Sequence, residues 1–302
     1  MRIAVIFTGG TIGSTLQSDG YITTSPAQNM ELLNVADAEY TVFEPYLTLS
    51  EQLDGDYITR LVECVNSRLL EECYDGIIVT HGTDTLQYSA AALALAYGDI
   101  NIPIVLVSSN YILSDPRSNG VDNMKYAVEF IKNRIGGVFV SYRNTGDSPE
   151  IHLAKAVLPH LPYSDSIRSM GGPFGRFEGD EFIRLIRDYE KDSYGIFSLN
   201  RLSSVLWIKA HAGMRYPEAF GAKAVLIESY HSGTLPTHNR DFVEFCKNCK
   251  APLYLTGAGS EEPYESTRLF DELGIRVLPE TSPIYAYMKL WVVSDNSLNY
   301  YI

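Results

Sequence analysis

Short apolar runs alternate with amphipathic segments through the first half of the chain. Runs of four or five apolar residues predict strands, and apolar residues that recur every three or four positions predict helices. The predicted strands are 3–7, 76–79, 104–107 and 137–140, and the predicted helices are 56–74, 85–97 and 119–132. Because strands that alternate with helices imply right-handed crossovers, we expect an α/β fold with a doubly wound, mostly parallel sheet.

The alternation changes in the middle of the chain. Two glycine-rich turns with phenylalanines between them predict a β-hairpin within 168–187. The polar stretch 188–203 lacks helical periodicity and is interpreted as a linker. A second α/β series follows, with predicted strands at 205–208, 224–228, 253–256 and 275–278 and predicted helices at 241–250, 266–273 and 284–291. The sequence therefore predicts a larger N-terminal domain over 1–187 and a smaller C-terminal α/β domain over 204–302.

The composition narrows the class of partner. Of the 302 residues, 45% are apolar and 20% are charged, as in a globular protein with a sizeable core. The formal net charge of −13 disfavours nucleic acid, because phosphate contacts need clustered lysine and arginine. No stretch approaches the roughly 20 apolar residues of a membrane span, and the short apolar run after Arg2 does not resemble a signal peptide. We therefore expect a cytoplasmic protein that acts on a small molecule, with neither nucleic acid nor membrane as partner.

The cysteines do not form a complete metal site. Cys246 and Cys249 have the spacing of redox and zinc motifs, but no second pair of cysteines or histidines completes a tetrahedral set. We interpret them as ordinary reduced thiols and expect no metal.

Candidate chemistry lies in two threonine-rich turns. Residues 8–13 (Thr-Gly-Gly-Thr-Ile-Gly) follow the first predicted strand, and residues 80–85 (Thr-His-Gly-Thr-Asp-Thr) follow the second. The carboxyl ends of parallel strands meet at one edge of a sheet, where glycine allows a ligand to approach the backbone. Thr11 and Thr83 bring hydroxyls and Asp84 a carboxylate, which predicts one catalytic site built from both turns. The alternative is that these hydroxyls only bond loop backbone groups.

Further side chains complete this hypothesis. Tyr21 follows a predicted turn that can fold it over Thr11, where its phenol relays a proton or excludes water. Lys155 has apolar neighbours, and burial would lower the pKa of its amine so that it acts as the base for Thr83; the alternative is a solvated surface lysine. His81 is expected to bond backbone groups. Ser50 either caps a helix or holds a substrate carboxylate.

Four motifs stand in a specific order along residues 1–160. They are TGGTIG at 8–13, Gly-Tyr ending at Tyr21, Leu-Ser-Glu at 49–51 and VTHGTDT at 79–85. The ordered set resembles the bacterial-type L-asparaginase/glutaminase family. The resemblance implies that Thr11 is the first nucleophilic threonine under a flexible lid carrying Tyr21. It also implies that Thr83 is the second essential threonine, with Asp84 as the ligand of the substrate ammonium and Lys155 bonded to Thr83.

The same resemblance implies the substrate-binding positions. Ser50 and Glu51 match the pair that holds the α-carboxylate and the α-amine. Ser109 falls where a backbone carbonyl receives the side-chain amide of the substrate. The chain departs from the family after residue 107, because Ser-Ser-Asn-Tyr-Ile replaces a GAMRP-like run and Asn-Gly-Val-Asp-Asn-Met replaces a DGPxNL-like run.

The implied activity is hydrolysis of L-asparagine to L-aspartate and ammonia without metal or organic cofactor. The alternatives are a glutaminase or mixed amidase, an ammonia-supplying subunit of a tRNA-dependent amidotransferase, and a non-catalytic amino-acid sensor. An amidotransferase subunit is expected to add an N-terminal domain and a basic surface, which this acidic chain starting at its first strand does not suggest.

The family also implies that one subunit completes the site of another. Candidates for this contribution are Glu261, Glu262 and Tyr264. Large apolar side chains at 207–216 and 298–302 suit an interface, and the alternative is that they pack within their own domain. We expect a homodimer or a homotetramer with two-fold symmetry.

Overall fold

Five neighbouring parallel strands form one side of the largest sheet. The structure is a computed structural model that describes residues 1–25, 35–71, 73–191, 193–258 and 264–297. The chain divides into two units, Met1–Phe197 and Ser198–Ile302, and the large sheet lies in the first. Its strands are β1 (Arg2–Phe7), β4 (Glu39–Phe43), β5 (Gly76–Thr80), β6 (Pro103–Val107), β7 (Gly137–Tyr142), β8 (Glu150–Leu153), β9 (Gly175–Glu178) and β10 (Glu181–Arg184). Their order is β10-β9-β8-β7-β6-β5-β1-β4, so β1 lies between β4 and β5.

Helices cover this sheet because its central strands are apolar on both faces. Ile3, Val5 and Phe7 pack in one core cluster with Met124 and Val128, and the alternate residues of β1 are equally buried. Strands buried on both faces are typical of parallel sheets in α/β proteins. The helices are α1 (Gly55–Glu71), α2 (Leu86–Tyr97) and α3 (Gly120–Ile131). The predicted mostly parallel α/β fold is confirmed.

The far edge of the sheet is antiparallel. β8 returns against β7, and β9 and β10 form the predicted β-hairpin. Aromatic rings fill the core beneath these strands: Phe130 lies 4.8 Å from Phe139 and 5.0 Å from Phe182 between ring centroids. A separate hairpin, β2 (Ser14–Leu16) and β3 (Ile22–Thr24), projects from the loop after β1.

The second unit contains a parallel sheet of four strands. The elements are β11 (Val205–Lys209), β12 (Ala224–Glu228), α4 (Arg240–Asn248), β13 (Leu253–Thr256), β14 (Ile275–Val277) and α5 (Pro283–Asn296), and the strand order is β11-β12-β13-β14. Phe242 and Cys246 of α4 pack on Ile227 and Leu255. The predicted helix over 266–273 is wrong: a 3-10 helix spans Glu265–Leu269, and Gly274 at φ +70 precedes the next strand.

The cysteine pair lies at the end of α4. Cys246 is buried, which raises the pKa of its thiol to about 12. Cys249 donates from Sγ to the carbonyl of Ala251. Both thiols are free. Within the described residues, no helix is long and apolar enough to cross a membrane.

Candidate active site

The site lies where the strand order reverses direction. From β1 the chain reaches β4 on one side of it and then β5 on the other, so the carboxyl ends of β1 and β5 border a crevice. Ligands of open α/β sheets bind at such a switch point. The loop after β1 carries Thr11, and the loop after β5 carries Thr83 and Asp84.

Glycines bring these loops into direct contact. A methyl group at Gly10 would lie 2.2 Å from the amide nitrogen of Gly82, and one at Gly82 would lie 2.3 Å from Ser50 Oγ. The amide of Gly10 donates to the carbonyl of Thr48 at 3.0 Å. Side chains at either glycine would separate the loops, so this sequence closes them on one another only because these two positions lack Cβ. Three segments, containing Thr11, Ser50 and Thr83, therefore converge.

A hydrogen bond between two threonines joins the carboxyl ends of β1 and β5. Thr8 Oγ1 donates to the carbonyl of Thr80 at 2.6 Å, and both side chains are buried. Ser14 Oγ donates to the carbonyl of Gly10 at 2.7 Å. These hydroxyls satisfy backbone groups that the strands leave unpaired where they end. The purely structural interpretation of the threonine turns thus applies to Thr8, whereas no such bond is present for Thr11 or Thr83 among the described residues.

Thr11 and Thr83 are both half-buried at the crevice. Thr11 begins the 3-10 helix Thr11–Gly13, and Thr83 lies three residues before α2. The Asp84 carboxylate is exposed, and its Oδ2 accepts from Ser50 Oγ at 3.4 Å. Thr85 Oγ1 donates to the carbonyl of Ser50 at 2.8 Å. The structure therefore brings the predicted Ser50 and Asp84 together.

His81 is a buried structural residue. Its Nδ1 lies 2.9 Å from the carbonyl of Gly82, and its Nε2 lies 2.8 Å from Ser89 Oγ. A carbonyl only accepts, so Nδ1 carries the proton and Nε2 accepts from Ser89. Burial lowers the pKa of His81 to about 4, which keeps the ring neutral at pH 7. Both ring nitrogens are engaged in fixing the loop.

Tyr21 and Glu51 lie further out. Tyr21 follows the turn at the tip of the β2–β3 hairpin, where its amide donates to Asp19 Oδ1 and its side chain is 73% exposed. Glu51 is exposed in the 3-10 helix Ser50–Gln52. Neither side chain is packed into the crevice. The lid role of this hairpin stays a prediction.

Ser109 belongs to a polar cluster after β6. Its Oγ donates to the carbonyl of Tyr111 and lies 2.8 Å from Ser118 Oγ. Asn110 and Asn119 exchange two bonds, each side-chain oxygen accepting from the other residue's amide at 2.9 and 3.1 Å. The departure from the family's motif is thus accommodated by a loop with its own hydrogen bonds.

Lys155 follows β8, which runs antiparallel to β7. The antiparallel register pairs Leu153 with Phe139, so the chain runs from the carboxyl edge of β7 towards its amino edge before it reaches Lys155. There the ammonium donates to the carbonyl of Glu190 at 2.7 Å. The pairing of Lys155 with Thr83 stays a prediction.

The predicted contributors from the second half fall partly outside the described residues. Outside the described residues lie Glu261, Glu262 and the terminal residues 298–302. Tyr264 is exposed and directly precedes a 3-10 helix. Thr48 and Asn119 also hold these loops and are not among the predicted site residues. Asn119 stands directly before α3, which is a helix-capping position and therefore a usable signal. Thr48 bonds the loop after β1 through its backbone N–H and carbonyl, which the identity of its side chain does not predict. Among the described residues, no cluster of three or more metal-ligating side chains is present.

Comparisons with known proteins identify the family. A family model described as "Asparaginase, N-terminal" matches residues 2–158. The L-asparaginase of Thermococcus kodakarensis is 28% identical over 255 residues, which cover 81% of this chain and 75% of that relative. A glutamyl-tRNA(Gln) amidotransferase subunit of Thermoplasma acidophilum is 29% identical over 202 residues, which cover 64% of this chain and 48% of that relative. This chain thus matches about half the length of that amidotransferase subunit.

A solved structure shares the fold. The thermostable L-asparaginase from Thermococcus kodakarensis matches with a TM-score of 0.81 and 23% identity, covering 97% of this chain and 92% of that chain. The matched family model includes both threonine loops, Ser50 and Asp84. The chain belongs to the asparaginase family and is an amidohydrolase.

Proposed function

We propose that this protein is an L-asparaginase that hydrolyses L-asparagine to L-aspartate and ammonia through a threonine nucleophile. The observation that carries the proposal is the closure of the Thr11, Ser50 and Thr83–Asp84 segments on one another at the switch point. That arrangement offers two hydroxyls and a carboxylate to one small polar substrate. The L-asparaginase relative supports the choice of substrate.

The chemistry proceeds in two displacements. Thr11 Oγ1 attacks the side-chain amide carbon, the C–N bond breaks, and the nitrogen leaves as ammonia after taking up a proton. Water then attacks the resulting ester, releases aspartate and returns the proton to Thr11. Backbone N–H groups of these loops stabilise the oxyanion, at a gain of about 10²–10³ in rate for each donor.

The polar groups around the crevice fit an amino-acid substrate. Asp84 meets the α-ammonium, and Ser50, hydrogen-bonded to it, meets the α-carboxylate together with nearby backbone N–H groups. Glu51 adds a second negative charge for the ammonium once bound substrate draws the Glu51 carboxylate in from solvent. A net charge of −13 does not repel a zwitterion.

Asp84→Asn keeps the shape of the side chain and removes its charge. We expect KM for L-asparagine to rise by roughly 10–100-fold, since a charge-assisted hydrogen bond contributes about 1.5–3 kcal/mol. Steady-state kinetics measures the effect, with Asp19→Asn on the β2–β3 turn as the control. An unchanged KM would make Asp84 a structural residue only.

The decisive assay compares amides. Ammonia release is measured from L-Asn, L-Gln and D-Asn in parallel, and L-Asn should be the preferred substrate. Because the two L-amides differ by one methylene, worth about 1–3 kcal/mol of discrimination, L-Gln is the closest rival. Preference for L-Gln would favour a glutaminase or an ammonia-supplying subunit such as the relative from Thermoplasma acidophilum. Binding of L-Asn without turnover would favour a sensor.

We further propose assembly into a homodimer or homotetramer. Two-fold symmetry is the commonest closed arrangement, and exposed aromatic side chains such as Phe220 are suited to an interface. Light scattering should give at least a dimer, and specific activity should fall on dilution below the dissociation constant. A fully active monomer would show that each chain holds a complete site.

A further inference from the structure

We propose that Asn119 is a positioning residue, which turns the peptide between Ser109 and Asn110 so that its carbonyl faces the side-chain amide of the substrate. This role rests on the proposed function, because it concerns how that site selects one amide over another. Three observations support it: the hydrogen bonds that hold this peptide, its place beside the β5 loop, and a buried amide where the family's motif has a carboxylate.

The peptide lies next to the loop that carries Thr83. Thr80 is level with Val107 on the neighbouring strand, and the amide of His81 donates to the carbonyl of Val107 at 2.9 Å. The loops after β5 and β6 therefore leave the same edge of the sheet side by side. Ser109 is two residues beyond Val107 and fully buried, so its backbone lies at that edge.

Asn119 fixes the direction of the Ser109 carbonyl. The amide of Asn110 donates to Asn119 Oδ1 at 2.9 Å. In a planar trans peptide the N–H and the C=O point in opposite directions, so the Ser109 carbonyl points away from Asn119. In the described part of the chain, no group donates to this carbonyl. A carbonyl with an open lone pair beside the β5 loop is the acceptor that the amide N–H of a substrate needs.

A second asparagine, one helical turn later, holds the other peptide that flanks Ser109. Asn123 Nδ2 donates to the carbonyl of Ser108 at 2.7 Å, and Asn123 Oδ1 accepts from the amide of Arg143 at 2.7 Å. Asn119 Nδ2 donates to the carbonyl of Arg143 at 2.8 Å. Both asparagine side chains are buried. The two peptides around Ser109 are thus bonded to the start of α3, which is bonded in turn to the end of β7.

Position 119 requires an amide because one side chain must accept and donate at the same time. Its Oδ1 accepts from Asn110 while its Nδ2 donates to Arg143. An ionised carboxylate accepts only, and it would place an oxygen against the carbonyl oxygen of Arg143. The DGPxNL-like motif has aspartate here, so asparagine supplies a donor that an ionised aspartate lacks. The Asn119 side chain makes no capping bond to α3, and its bonds serve the β6 loop instead.

A fixed carbonyl selects the length of the substrate side chain. L-Asparagine and L-glutamine differ by one methylene, and an acceptor that cannot move bonds only the amide that reaches it at hydrogen-bond distance. In the proposed function the α-ammonium and the α-carboxylate are held elsewhere, at Asp84 and Ser50. The orientation set by Asn119 therefore determines amide selectivity and leaves the binding of the α-groups unchanged.

Asn119→Asp tests this role, with Asn144→Asp as the matched control. Asn144 is also buried, its Nδ2 donates to the carbonyl of Ile167 at 3.0 Å, and its Oδ1 accepts from the amide of Ile167 at 2.9 Å. Both variants keep the shape of the side chain and lose one donor, so both should lower Tm. Only Asn119→Asp should lower kcat/KM for L-asparagine, by roughly 10–100-fold.

Two further readouts distinguish positioning from loss of stability. In Asn119→Asp the preference for L-asparagine over L-glutamine should fall at least about fivefold, while Ki for L-aspartate, which carries no amide, should stay within about threefold. Asn110→Ala disturbs the same peptide less, because it removes the acceptor for the Asn119 amide and keeps the peptide N–H. It should shift the same preference in the same direction by a smaller factor. All rates are measured below the midpoint of unfolding.

The outcomes separate the two proposals. An unchanged amide preference in folded Asn119→Asp or Asn110→Ala would overturn the positioning role, and so would an equal loss of preference in Asn144→Asp. A wild type that binds L-asparagine without releasing ammonia would overturn the proposed function alone. Calorimetric Kd values for L-asparagine and L-aspartate then still decide the positioning role, because only the binding of L-asparagine should weaken in Asn119→Asp. A wild type that binds neither amino acid would overturn both.

Discussion

Thr11→Ala should reduce kcat for L-asparagine by at least about 10³-fold while the protein keeps its fold. The substitution removes the hydroxyl that forms the ester intermediate, and nothing else in the crevice sits at the same point of the β1 loop. Thr11 is half-buried at the start of the 3-10 helix Thr11–Gly13, so losing one hydroxyl and one methyl removes little packing. Ammonia release and thermal unfolding followed by circular dichroism measure the two effects separately.

Thr15→Ala is the matched control. Thr15 lies four residues later on β2, is also half-buried, and its Oγ1 accepts from Gln17 Nε2 at 2.9 Å. Its loss should leave kcat close to the wild-type value. If Thr11→Ala retains most of the wild-type kcat, the nucleophile is another group and the ester intermediate is not on Thr11. Equal losses in both variants would indicate a general disturbance of the hairpin.

The sheet was predictable where its strands are apolar on both faces. The apolar runs 3–7 in β1 and 76–79 in β5 are continuous, and each is followed directly by a threonine, Thr8 or Thr80. The same rule missed β4 and β8. β4 is an edge strand with mixed exposure, and β8 has only four residues and includes the buried His152. Such strands owe their place to neighbours that a local pattern does not describe.

Only some positions in the candidate site could be predicted from the sequence, for a physical reason. Ser50 and Asp84 are within hydrogen-bond distance, as parallel strand ends at one edge would require. The position of Lys155 depends on the length of the turn between β7 and β8, which fixes the register of Phe139 with Leu153. A one-residue change in register moves every following side chain along the sheet and to its other face. Residue identity around position 155 carries no information about that turn.

Position 10 requires glycine where the β1 and β5 loops pack against each other. Gly10 has φ 77 and ψ −179, a conformation confined almost entirely to glycine. A methyl group there would also meet the amide of Gly82 at 2.2 Å. Gly10→Ala should therefore lower the free energy of unfolding by roughly 2–6 kcal/mol, the sum of about 1–3 for the backbone and about 1–3 for overpacking.

The same substitution should abolish most of the amidase activity. Separating Gly10 from Gly82 moves Thr11 away from Thr83 and Ser50, and a displacement of about 1 Å in such a site costs on the order of 10²-fold in rate. Denaturant unfolding and L-asparagine turnover are measured on the same preparation, below the midpoint of unfolding. The loss of turnover must therefore be seen in protein that is still folded.

Gly146→Ala isolates the contact from the backbone effect. Gly146 lies in the exposed turn between β7 and β8 with φ +87, and a methyl group there would meet no atom within 4 Å. It should lose stability only through its backbone conformation and keep its turnover. The difference between the two variants measures the contact of the β1 and β5 loops. If both variants lose the same stability and both retain turnover, close approach of those loops is not what assembles the site, and the interlocked glycines would explain the fold alone.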